Sequence, residues 1–152
     1  MCTSFMGELM TATHNFGTAP TRGTSAADTF KGALYLASAT YDAATTAYSA
    51  TGEVSGTGYS AGGVTVTNAN PPVATNASAT AGVAYWTPSA SLTYTSVTLT
   101  TAFDAVLIYN SSQSNKAVSV HTFGSQTITA GTFTLTMPAS TTTTALLRLA
   151  TT

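Results

Sequence analysis

"TGEVSGTGYSAGGVTVT", Thr51–Thr67, is the stretch on which the fold turns. Gly52, Gly56, Gly58, Gly62 and Gly63 crowd around Glu53 and Tyr59. A glycine-rich loop that cradles a phosphate would open a helix and imply an α/β enzyme. A glycine-rich connection between strands would imply an all-β chain. Gly56, Gly58 and Gly62 give G-x-G-x-x-x-G, whereas the dinucleotide fingerprint needs G-x-G-x-x-G between a strand and a helix. The P-loop needs G-x-x-x-x-G-K-[ST], and no lysine follows these glycines. What does follow, Val64-Thr65-Val66-Thr67, alternates with the period of a strand. The stretch therefore reads as a connection or bulge between strands, where the chain must reach φ > 0. Glu53 and Tyr59 are expected to be the side chains at this turn most available to a neighbouring subunit.

Outward from this point the period-two pattern recurs. "TFKGALYL" (Thr29–Leu36) puts Phe30, Leu34 and Leu36 on one face and Lys31 and Tyr35 on the other. "VAYWT" (Val83–Thr87), "SLTYTSVTLT" (Ser91–Thr100), "AVSVHTF" (Ala117–Phe123), "QTITA" (Gln126–Ala130), "TFTLTMP" (Thr132–Pro138) and "ALLRLA" (Ala145–Ala150) also read as strands. "AVLIY" (Ala105–Tyr109) is a continuous apolar run, which predicts a strand buried on both faces. "NSSQSNK" (Asn110–Lys116) is a polar turn, and "NANPPVATNASATAG" (Asn68–Gly82) is a loop that Pro71 and Pro72 keep out of a sheet centre. "PASTTTTA" (Pro138–Ala145) is low-complexity and reads as a loop.

Helical signals are short. In "SFMGELMTATHNFG", Phe5, Leu9 and Ala12 fall at helical spacing, with Thr3 or Ser4 to cap. "TYDAATTAY" (Thr40–Tyr48) predicts one or two helical turns, with Thr40 as cap and Asp42 in the first turn. Strands do not alternate with long helices, which argues against a parallel sheet. The expectation is an all-β fold: an antiparallel β-sandwich, jelly-roll-like, of roughly eight strands with a short N-terminal helical segment. Residues 1–152 make one domain. Residues 1–23 form either an arm that packs Phe5, Leu9 and Phe16 on a neighbour or a helix that caps the chain's own sandwich.

Composition narrows the function. Only 6% of the 152 residues are charged, against about 25% in an ordinary soluble domain. Threonine supplies more than one residue in five. With no basic patch, binding to nucleic acid is not expected, and no cationic amphipathic stretch suggests a membrane surface. A weakly charged surface favours association, a first hint of an assembly subunit. Cys2 is the only cysteine, so no internal disulfide is available. The N-terminus reads as no signal peptide, and no run approaches the ~18 apolar residues of a membrane span. Asn76-Ala77-Ser78 and Asn110-Ser111-Ser112 match the glycosylation sequon and are read as chance matches.

Catalytic groups are scarce. His121, in "VSVHTF", reads as a half-exposed strand residue, and His14 is the only other histidine. No H-x-H, H-E-x-x-H, C-x-x-C or G-x-S-x-G pattern occurs, so no metal, cofactor or catalytic residue is assigned. A serine triad, or a carboxylate pair such as Glu53 and Asp104, stays open without support from spacing. Asp104 is expected to cap a turn or pair with Lys or Arg. Tyr85, Trp86 and Tyr94 read first as packing residues, with a carbohydrate platform as the alternative.

"DTFKGALYLASAT", "TGEVSGTGYSAGG", "FDAVLIYNSSQSNKAVSVHTFG" and "FTLTMP…ALLRLA", in order along Asp28–Ala150, resemble a family of small structural proteins encoded among the virion genes of tailed bacteriophages. The resemblance implies a non-enzymatic virion protein, made in the bacterial host cytoplasm. Its placement would be as a decoration, or cement, protein on the capsid exterior, binding the major capsid protein as a dimer or trimer. A tail or fibre component and a carbohydrate-binding adhesin are the alternatives. A small hydrolase is the weakest one.

Overall fold

The computed structural model describes residues 1–10, 13–16, 27–68, 72–75 and 82–150. It is mostly β, with two antiparallel sheets. The elements are α1 (Thr3–Met10), β1 (Phe30–Leu36), β2 (Val64–Thr65), β3 (Val73–Ala74), β4 (Val83–Trp86), β5 (Leu92–Asn110), β6 (Lys116–Leu135) and β7 (Leu147–Ala150). One sheet has the order β2-β1-β5-β6 and the other β3-β4-β7. The sequon at Asn76 and much of the expected Pro/Ala/Asn loop lie outside the described residues.

Five runs expected as separate strands are joined into two. Ser91–Thr100, from Leu92 on, and Ala105–Tyr109 belong to β5, which is 19 residues long; Ala117–Phe123, Gln126–Ala130 and Thr132–Pro138, as far as Leu135, belong to β6, which is 20. The described strands therefore number seven rather than roughly eight. The breaks between runs are bulges, not turns. Leu99 pairs with Ile128, Phe103 with Gln126 and Ala105 with Thr122, so β5 carries the extra residues in the first interval and β6 in the second. Ser96 and Ala130 sit at φ 53° and 48°, the left-handed region that such irregularities use.

These bulges bend the hairpin onto itself. The Tyr94 hydroxyl donates to the Gly32 carbonyl at 2.8 Å. A Cβ on Gly32 would lie 2.6 Å from Leu92 Cδ1. Gly32 in turn pairs with Ile108, near the other end of the same strand. One hairpin thus packs both its halves against β1. The core between them holds Leu34, Leu92, Tyr94, Val97, Leu99 and Val106, all buried. Each such side chain contributes about 1.5–3 kcal/mol.

A second aromatic centre attaches the remaining elements. Phe16 stacks on Phe30 at 4.4 Å and meets Trp86 edge-on at 4.8 Å. Trp86 belongs to β4, so this contact ties the three-stranded sheet to β1. The N-terminal residues lie on the chain's own fold: the Cys2 N–H donates to Val118 O at 3.0 Å, and Phe5 is buried. The Ser4 hydroxyl is buried without a hydrogen-bond partner, so it does not cap α1.

Thr40–Tyr48 is not helical. Asp42 instead closes a turn: the Ala44 N–H donates to Asp42 Oδ1 at 2.8 Å and the Thr45 N–H to Asp42 O at 3.1 Å. Aspartate competes in this way with helix wherever its side chain can accept two residues on.

Candidate functional site

Thr51–Thr67 is an interrupted edge partner of β1. At one end the Leu36 N–H donates to Gly52 O at 2.9 Å and the Val54 N–H to Leu34 O at 3.0 Å. At the other end β2 pairs with Lys31 and Gly32. Between these ends the chain leaves β1 and touches β5, where the Thr98 N–H donates to Thr57 O at 2.9 Å. The excursion closes on the Glu53 carboxylate. Tyr59 and the Gly62 N–H each bond Oε1 at 2.7 Å, and Tyr48 bonds Oε2 at 2.7 Å. The Tyr59 hydroxyl also accepts the Leu34 N–H at 3.0 Å, satisfying the β1 donor that β2 is too short to reach.

This overturns the expectation that Glu53 and Tyr59 are offered to a neighbour, since both are half-buried and bonded inward. Burial pushes the Tyr59 phenol far above its ordinary range, and the Glu53 hydrogen bond and charge add to the effect. Gly58 and Gly63 explain two of the glycines: both have positive φ, and a Cβ would collide with Ser96 O at the first and Gly32 O at the second. These two glycines serve close backbone contact.

A second polar network holds the N-terminal segment. The side chain of His14 is fully buried and contacts Glu8 Oε2 through Nε2 at 2.7 Å and the Asn110 amide through Nδ1 at 3.0 Å. The Asn110 amide is oriented by the Ser112 N–H on its Oδ1 and by Asp28 Oδ2, 2.7 Å from its Nδ2. His14 Nδ1 is therefore the acceptor, and Nε2–H donates to Glu8. Lys116 Nζ donates to Glu8 Oε1 at 2.8 Å. Burial acts to raise the Glu8 carboxyl, but the hydrogen bonds from Lys116 and His14 outweigh it and hold it below its ordinary range. Asn110 is buried inside this network, which removes it as a glycosylation acceptor.

The remaining candidates are not assembled into a reactive centre. The hydrogen-bond partners of Glu53 are Tyr48, Tyr59 and Gly62; Asp104 is not among them and lies within β5, where it caps no turn. His121 is half-buried, with Nε2 2.8 Å from the Ser119 hydroxyl, and Ser119 is fully buried within β6. Burial pulls the His121 imidazole down to about 4. Trp86 is 3% exposed and its indole N–H donates to Asn68 Oδ1 at 2.8 Å, so it offers no face for stacking a sugar. Tyr94 is buried as well. Among the described residues no cluster of three or more His, Cys, Asp or Glu side chains is placed to hold a metal. No helix among them is long and apolar enough to cross a membrane.

Two outward features remain. An apolar cavity of about 80 Å³ lies between α1 and the three-stranded sheet, with Phe5, Leu9 and Trp86 among its lining, and exposed Met1 and Leu149 at its mouth. The outer edge of β6 is the other. Ala117 and Val118 are covered there by Thr46 O and the Cys2 N–H. Among the described residues no other segment pairs with β6 from Ser119 to Leu135 on that side. From Ala117 through Leu147 the chain has no Asp, Glu, Lys or Arg. The sequence signal for this edge was the uncharged Thr-rich run itself.

Comparisons with known protein families, with characterised proteins and with solved structures find no match to this chain.

Proposed function

We propose that the protein is a non-enzymatic structural subunit of a tailed-phage virion, a decoration or cement protein that binds the capsid exterior. In this role it binds the major capsid protein as a homo-oligomer and stabilises contacts between neighbouring capsid subunits. Its motifs' resemblance to phage structural proteins supports the reading. The observation that carries it physically is the distribution of polarity: Glu8, Glu53, Asp28 and His14 are used to fix the fold. The β6 edge from Ser119 to Leu135, by contrast, carries no Asp, Glu, Lys or Arg and pairs on its outer side with no other described segment. An edge of this kind binds by backbone hydrogen bonds and shape rather than by chemistry. The finer fold that goes with it is an antiparallel β-sandwich whose second layer is the bent hairpin. A jelly roll is the same idea with eight strands in two sheets.

Mechanically, each copy bridging two capsid subunits adds interface that must break before the shell ruptures, and many copies multiply a modest contact. The test is quantitative mass spectrometry of purified particles together with their rupture temperature. Copy numbers in the hundreds, and particles that rupture at lower temperature once stripped of the protein, are expected. A few copies per particle would transfer the protein to the tail or fibre. Full occupancy with an unchanged rupture temperature would remove the cement role.

A further inference from the structure

We infer that the end of β6 together with the residue that follows it, Thr132–Thr136, pairs with the same segment of a second copy, antiparallel about a two-fold axis at Thr134. This deepens the proposed function, whose homo-oligomer it supplies with an interface. The argument starts from the edge. β6 ends its sheet, and its backbone from Ser119 onward meets no other described segment on the outer side. A row of N–H and C=O groups of this kind is a template on which an extended strand can pair along its whole length.

Thr132–Thr136 is the segment best suited to that pairing. The bulges of β6 lie upstream of it, and Phe133, Thr134 and Leu135 face Tyr94, Thr93 and Leu92 in unbroken register. The side chains alternate: Thr132, Thr134 and Thr136 are exposed, while Phe133 and Leu135 are half-buried against the core. The pattern T-F-T-L-T reads the same in both directions by polarity. A two-fold axis through Thr134 sets Phe133 opposite Leu135 twice on the inner face. It sets Thr132 opposite Thr136 twice, and Thr134 opposite itself, on the outer face. Aromatic–aliphatic and Thr–Thr neighbours of this kind stabilise cross-strand pairing. The residues that protect edges against such pairing are charges and proline. The segment has neither, and Pro138 comes only after it. A two-fold, isologous contact also closes, so it yields a dimer rather than a fibre.

The test is the oligomeric state of the isolated protein, followed by sedimentation over a range of concentrations. The samples are wild type, Thr134→Lys, Thr134→Glu and an equimolar mixture of the two variants. Because Thr134 is exposed, both variants should keep the fold, checked by circular dichroism. The wild type is expected to dimerise. Each variant alone should dimerise at least tenfold more weakly, because the axis sets like charges against each other, and the mixture should recover dimer. A wild type that stays monomeric overturns the proposal, as do variants that dimerise like wild type through some other face. A mixture without recovery overturns the register centred on Thr134. None of these results depends on a capsid, so dimerisation can fail while the virion role stands, or stand while that role fails.

Discussion

The Tyr59 hydroxyl and the Glu53 carboxylate, six residues apart in one loop, are joined by a 2.7 Å hydrogen bond that also anchors the loop to β1 through the Leu34 N–H. The hydroxyl stands where a strand would otherwise stand, accepting from β1 and passing the donor role on to Glu53. Removing it leaves a buried backbone N–H and a carboxylate oxygen short of partners. Tyr59→Phe should therefore destabilise the fold by about 1–3 kcal/mol. Glu53→Ala should cost more than Tyr59→Phe, since it strands two phenols and the Gly62 N–H together. Urea unfolding measures both. An unchanged midpoint for Tyr59→Phe would show that the loop is held by packing alone.

Gly58 and Gly63 make a sharper claim. At each, alanine would meet both a left-handed backbone and a carbonyl oxygen of a neighbouring strand. Backbone carbonyls in a paired strand cannot swing aside as a side chain can. Gly58→Ala and Gly63→Ala should each cost about 3 kcal/mol or more, which combines strain with displacement. Gly124→Ala is the internal control, with open space around its Cβ. It should change stability by no more than about 0.5 kcal/mol. Equal effects at all three positions would refute the close-approach argument.

The His14 network predicts what holds the N-terminal segment down. The ring is 4.8 Å from Phe5 and stacks toward Phe30, and both its nitrogens are bonded. His14→Ala opens a cavity and removes one hydrogen-bond partner each from Asn110 and Glu8, so a loss of about 2–4 kcal/mol is expected. The segment ahead of β1 should then become sensitive to limited proteolysis while the β5–β6 hairpin stays resistant. Cleavage at the same rate as in the wild type would mean that Phe5 and Phe16 suffice to hold it.

Stability should fall on acidification, for two reasons with the same sign. His121 drops from its usual 6.5 to about 4 in the fold, so the unfolded chain binds its proton first. That difference removes stability as pH falls from about 6.5 toward 4. Glu8 is held below its ordinary range, so its contribution is present above that range and disappears as pH falls through the lowered value. Unfolding midpoints measured from pH 7 to pH 3 should decline throughout. His121→Asn should flatten the upper part of the decline, and Glu8→Gln the lower part. A midpoint independent of pH in the wild type would contradict both assignments.

The β class was legible because alternation of Thr with Val, Leu and aromatic residues is local information. The joining of runs into β5 and β6 was not. Turns and bulges use the same small and polar residues, and a non-glycine residue with positive φ, as at Ser96 and Ala130, leaves no signal in composition. The helical turn expected at Thr40 failed because Asp42 had a better local acceptor role. The polar networks were illegible for a different reason: Glu8 meets Lys116 across 108 residues and Asn110 meets Asp28 across 82. No spacing rule reaches that far. The strand after the glycines of Thr51–Thr67 was legible in the alternation of Val and Thr, yet the contacts of Gly58 and Gly63 with the Ser96 and Gly32 carbonyls depend on strands far away in sequence.

The tyrosines extend the pH argument in the alkaline direction. Tyr35, Tyr48, Tyr59, Tyr94 and Tyr109 are all raised above the ordinary phenol range, first by burial and then, among other causes, by the negative charge of Glu53. Their phenols lose a proton more readily in the unfolded chain than in the fold. The stability they represent is therefore complete below about pH 10 and is lost as pH rises beyond it. These five side chains should ionise together, in a steep step of phenolate absorbance that coincides with loss of the β circular-dichroism signal. Tyr59→Phe, which breaks the bond to Glu53 and loosens the loop that shields the others, should move that step to lower pH. Gradual ionisation of all the tyrosines while the β signal persists would show that water reaches the cluster in the folded state and that Glu53 does not organise it.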